Sequence, residues 1–102
     1  MNTYWITFRI NDDFDYSHRY ESLQDTIREN AGPTWWVEPT SFIAFQSRLS
    51  TKQLAEQISY AIDPMIDVVL LTRVGFKDHV VIGTLQDADV FKLFPDLTSF
   101  SN

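Results

Sequence analysis

Apolar and polar residues alternate over residues 4–10, with Tyr4, Ile6, Phe8 and Ile10 on one side and Trp5, Thr7 and Arg9 on the other. A period of two predicts a strand whose first set faces a core and whose second set lines a semi-polar face. Residues 11–15 interrupt it, and Asp13 or Asp15 is placed to cap the helix that follows. From Tyr16 the period changes. Tyr16, Tyr20, Leu23 and Ile27 form one stripe of an amphipathic helix, and Arg19, Glu21, Asp25, Arg28 and Glu29 lie off it. Ala31-Gly32-Pro33 ends the helix, with the glycine expected in a left-handed cap and the proline barring continuation.

Trp35-Trp36-Val37 predicts a short strand stopped by Glu38-Pro39, and residues 41–47 the next strand, giving a hairpin that turns near Pro39. Ser50-Thr51-Lys52-Gln53 has the spacing of a capping box, and Leu54, Ile58 and Ala61 or Ile62 form the buried stripe of a second helix closed by Asp63-Pro64. Residues 67–73 predict a strand rich in leucine and β-branched residues, and residues 80–82 a shorter one. Residues 87–94 are expected to make one or two helical turns before Pro95, with a fraying tail behind them.

The order strand, helix, strand, strand, helix, strand predicts an α+β protein of ferredoxin-like βαββαβ form. The expected sandwich has a four-stranded antiparallel sheet with both helices on one face. A core over about residues 3–74 carries a C-terminal appendix, residues 75–102, that holds a further strand and a short helix; the appendix either folds back on its own chain or adds to a neighbour's sheet edge. Such a sheet leaves its other face uncovered. Trp5, Thr7 and Arg9 lie there and are the expected interface residues.

A chain of 102 residues makes one domain, and 15% aromatic content is more than so small a core hides, so a homodimer is expected. The eight Lys and Arg residues are scattered and the formal net charge is −6. Nucleic acid is therefore disfavoured as a partner, and a basic protein favoured. The sequence has no cysteine, so disulfides and thiolate metal sites are excluded. No signal-like start and no apolar run of spanning length is read, which makes cytoplasmic the expected location, with no membrane partner.

Asn11-Asp12-Asp13 places two carboxylates at a strand end, the one arrangement here with the chemistry to hold Mg²⁺ and polarise a phosphodiester. Asp12 and Asp13 are thus the candidate catalytic and metal-binding residues. The same residue types are ordinary loop and cap residues, which is the reading favoured here. His18 and His79 stand alone, and no nucleophile motif, histidine pair of metal spacing or phosphate-cradling glycine loop is present, so no other cofactor is expected. Trp35 and Trp36, being adjacent in a strand, point to opposite faces, so one belongs to the core and one to a surface.

Three segments resemble the small CRISPR-associated adaptation endonucleases and, more loosely, the virulence-associated protein D toxins. They are the apolar first strand running into Ile10-Asn11-Asp12-Asp13 and a helix with His18-Arg19; the strand Ser41-Phe42-Ile43-Ala44-Phe45-Gln46; and Ala61-Ile62-Asp63-Pro64 leading to Asp67-Val68-Val69-Leu70-Leu71. The resemblance covers residues 4–73 and implies the same fold and a metal-dependent nuclease site at a dimer interface. In that family the first strand typically ends Tyr-Asp-Ile and its aspartate is the metal ligand; here Phe8-Arg9-Ile10 puts a cation in its place. A guanidinium has no lone pair for a metal. The expectation is therefore a non-enzymatic, dimeric macromolecule-binding protein of bacterial or phage type, antitoxin- or immunity-like. The alternative is a Mg²⁺-dependent ribonuclease or deoxyribonuclease that uses Asp12 and Asp13.

Overall fold

The computed structural model describes residues 1–101. Its central strand, β1 (Asn2–Arg9), is followed by α1 (Tyr16–Asn30), β2 (Ala31–Trp36), β3 (Phe42–Ser47), α2 (Thr51–Ala61), β4 (Val68–Arg73), β5 (His79–Gly83), α3 (Val90–Leu93) and β6 (Leu97–Ser99). The strands form one six-stranded mixed sheet in the order β2-β3-β1-β4-β5-β6. Every neighbouring pair is antiparallel except β5 with β6, which is parallel.

Alternation in β1 decides which face becomes the core. Tyr4, Ile6 and Phe8 point inward and join Leu23 and Ile27 of α1, Leu54, Ala55 and Ile58 of α2, Val69 and Leu71 of β4, and Val80 and Ile82 of β5. Both helices therefore lie on the inner face. Each large side chain buried there contributes about 1.5–3 kcal/mol relative to exposure. The one polar tip among the innermost β1 residues is satisfied, since the Tyr4 hydroxyl donates to the Leu49 carbonyl at 2.8 Å. At the start of α2 the expected capping box forms: Ser50 Oγ accepts from the Gln53 amide at 3.1 Å, and Gln53 Oε1 accepts from the Ser50 amide at 2.9 Å.

Four expectations are corrected. The sheet has six strands and one parallel pair rather than four antiparallel strands. α1 passes into β2 without a turn: Ala31, its C-cap, is extended and Gly32 has no positive φ. The irregularity instead falls within the strand, where the β2–β3 register shifts between Ala31 and Trp35 around Pro33. An edge strand tolerates both the missing amide and the bulge. The tail does not fray, because β6 docks on β5, and the Phe100 amide donates to the Val81 carbonyl at 2.9 Å. The appendix folds back on its own chain, with β5 paired to β4.

The fourth correction concerns the outer face of the sheet, which is half covered. By register, Thr72, His79, Val81 and Leu97 share the side of Trp5. Thr72, Val81 and Leu97 are buried, the two apolar ones outside the inner core. Phe94, the C-cap of α3, packs its ring 5.0 Å from that of His79, so the segment between β5 and β6 crosses to this side.

Candidate functional site

The exit of β1 is organised by a residue that sequence reasoning placed inside a strand. Asp67 stands just before β4 and is fully buried. Its Oδ1 accepts the Asn11 amide at 2.8 Å, and its Oδ2 accepts the Asp63 amide and the Arg19 Nε, both at 2.9 Å. Arg19 comes from the second turn of α1 and reaches back to the loop before it. Its Nη1 donates to Asp13 Oδ1 at 3.2 Å, and its Nη2 to Asp13 Oδ2 and to the Asn11 carbonyl, both at 3.1 Å. Asp13 Oδ1 also accepts the Asp15 amide at 2.9 Å, and Oδ2 accepts Asn11 Nδ2 at 3.1 Å. Asp15 occupies the cap position of α1 without a side-chain cap bond; Asp13 shapes the loop instead.

The backbone seals the same corner. The Asp67 carbonyl accepts the Thr84 amide at 3.0 Å, bringing the chain after β5 against it. Gly83 makes this approach with φ +107, and a Cβ there would lie 2.0 Å from the Asp67 carbonyl oxygen. Only glycine fits both conditions.

One guanidinium thus bridges two carboxylates from separate loops. Hydrogen bonding to Arg19, and secondarily to Asn11, holds the Asp13 carboxyl below its ordinary value. The same two carboxylates hold the Arg19 guanidinium above its own. Chemically this is a closed knot. Both Asp13 oxygens are occupied by donors, so a cation there would have to displace Arg19. Asp12 is exposed beside it. Among the described residues no group of three or more acidic, histidine or cysteine side chains is arranged to hold a metal. His18 is exposed on α1, and His79, whose Nδ1 lies 3.0 Å from Thr72 Oγ1, sits at the other end of β4 from Asp67.

The outward side of β1 is different in kind. Trp5 stacks on Phe42 of β3 with ring centroids 5.8 Å apart, and Trp36 of β2 meets the same Phe42 edge-on at 6.1 Å. Thr7 and Arg9 are exposed farther along the strand. Trp36 is 49% exposed, whereas Trp35 turns to the core beneath Arg28, 5.1 Å from its ring. The three predicted interface residues therefore do share one face, and Phe42, which was not among them, is its centre. Its signal was present in the alternation of residues 42–47, which puts Phe42, Ala44 and Gln46 opposite Ile43 and Phe45.

Comparison of the chain with protein-family models, curated proteins and solved structures finds no match. No helix among the described residues is long and apolar enough to cross a membrane.

Proposed function

We propose that this chain is a non-catalytic macromolecule-binding protein, built on a ferredoxin-like βαββαβ core, that presents an acidic helical layer to a basic protein partner in the manner of an antitoxin or immunity protein. The observation that carries this reading is the capture of both Asp13 oxygens by Arg19 and its neighbours. The carboxylate that a nuclease would use beside Asp12 is already neutralised, and Arg9 stands where the resembled endonucleases have their aspartate. The remaining acidic groups are distributed as a surface rather than as a site. Glu21, Asp25 and Glu29 are exposed on α1 and Glu56 on α2, on the layer that faces away from the sheet, where they outnumber the exposed cations Arg28, 3.8 Å from Asp25, and Lys52. A field of this sign accelerates encounter with a cationic protein and disfavours nucleic acid.

The test incubates the purified protein with RNA and with DNA in Mg²⁺ or Mn²⁺, beside an Asp12→Ala, Asp13→Ala double variant and Asp12→Ala alone. The expected result is no cleavage, or a trace that both variants share with the wild type. Wild-type cleavage lost in the Asp12→Ala protein, on a side chain whose removal disturbs no fold contact, overturns the non-catalytic reading.

A further inference from the structure

The outer sheet face is split into a finished half and an unfinished one. Over β4, β5 and β6 the C-terminal segment lies on the sheet, and Thr72, Val81 and Leu97 are buried beneath or beside it. Over β2, β3 and β1 no helix or strand of the described residues lies on it. There the rings of Trp36, Phe42 and Trp5 form a continuous row across three strands, each in contact with the next. We propose that this bare half is the interface at which a second copy of this chain packs, sheet to sheet.

Charge placement identifies the occupant. All fourteen Asp and Glu residues lie outside the six strands, in helices and loops. Of the two cations within strands, Arg73 is held elsewhere: it pairs with Tyr4 in register, donates to Asn2 Oδ1 at 2.8 Å and lies over the Phe76 ring. Among the described strand residues, Arg9, at the end of β1, is thus the one formal charge on the bare half. A basic protein would find no carboxylate among the strand residues of this surface. A nucleic acid would find stacking rings but a single cation, on a chain whose net charge is −6. A second copy presents the same uncharged aromatic row, with its carboxylates outside the strands that carry it, in helices and loops. Interface cores are enriched in aromatic side chains and depleted of charge, as this surface is. A two-fold axis would make the contact self-complementary.

The same segregation fixes the sign of the salt dependence. Two chains of like net charge repel until their fields are screened, while the contact itself is apolar. Self-association therefore strengthens as salt rises. Binding of a nucleic acid or of a basic partner weakens.

Sedimentation equilibrium of the full chain, at NaCl from about 0.05 to 0.5 M, reads this directly. The expected result is a dimer whose association constant rises with salt. A Trp5→Ser, Phe42→Ser variant should weaken it by about thirtyfold or more. Trp36→Ser, on a ring already half in solvent, should weaken it without a fold change by circular dichroism, which keeps the test decisive should the double variant not fold. Leu93→Ser, an exposed change on α3 over the covered half, should leave it unaltered. A wild type that stays monomeric throughout, or a dimer that tolerates the Trp36→Ser change together with Phe42→Ser, overturns the proposal. Quenching of tryptophan emission by a short oligothymidylate, relieved by salt, overturns it in favour of a nucleic-acid platform.

Discussion

β1 leads into two regions that are opposite in construction. At its exit, Arg19, Asp13, Asp67 and the amides of Asn11, Asp63 and Asp15 saturate one another, and the central carboxylate is sealed from solvent. On its outward side, Trp5, Phe42 and Trp36 touch only as neighbours in a row and leave their outer surfaces to water. A buried polar group left without a partner is costly, so evolution of a stable fold closes such groups internally. An exposed apolar surface carries no such demand within the chain, and a contiguous one is a candidate contact surface. The charged cluster, which looks like a site, is a clamp; the aromatic side, where the interface was expected, is the one the described elements leave open.

The largest effect that separates the two regions is expected from Asp67→Ala. It would leave Arg19 Nε and two backbone amides without their acceptor in a buried corner, with the guanidinium still held by Asp13 on its other side, and breaking a buried ion pair from one side costs about 3–5 kcal/mol. Against a total of roughly 5–15 kcal/mol for a domain, the urea midpoint should fall severely, while Asp12→Ala should stay within about 0.5 kcal/mol. A small loss from Asp67→Ala would mean that the corner is solvated and the clamp reading is wrong. Next comes Phe94→Ala, which strips the ring from His79 on the covered half. The half-buried ring should cost about 1–2 kcal/mol in thermal or urea melts. It should also raise the affinity for apolar dyes, as it turns the finished half of the outer face into an extension of the bare one. An unchanged dye response would mean that Phe94 is not what covers it.

The parts of this molecule written in local periodicity are legible in the sequence. Tyr4, Ile6 and Phe8 against Trp5, Thr7 and Arg9, the α1 stripe, and the Ser50–Gln53 box each depend on neighbours a few positions away. The split of Trp35 and Trp36 between faces followed from strand geometry alone. What was not legible is what the chain decides at long range. Asp67 reads as the polar first residue of an apolar strand; its burial depends on Arg19, forty-eight residues earlier, turning back toward the loop. The clue was an isolated carboxylate heading the run Val68-Val69-Leu70-Leu71, where an unpaired charge would not be tolerated. β6 was missed because three residues, Leu97 to Ser99, carry too little pattern to distinguish a docked strand from a tail. With β6 and Phe94 unseen, the whole outer face looked open, and the candidate interface could not be limited to its β2-β3-β1 half.

The subtlest test concerns the charge on Asp13, at the solvent side of the clamp. Asp13→Asn keeps the size and one acceptor oxygen but removes the anion that Arg19 holds. Arg19 lowers the Asp13 carboxyl in the folded chain from its ordinary 3.8. A depressed folded value means that the stabilisation is fully present above the unfolded value and disappears as pH falls through the folded one. Arg19, shifted upward, remains protonated throughout this range, so it adds no titration of its own. The wild type should therefore exceed Asp13→Asn in urea midpoint at neutral pH, and the gap should close as the pH is taken below about 4. Other acid-titrating groups are common to both proteins and cancel in the difference. A gap that stays constant from neutral to acid would mean that Asp13 acts through loop geometry alone, by its bond to the Asp15 amide, and that the Arg19–Asp67 pair closes the exit of β1 without it.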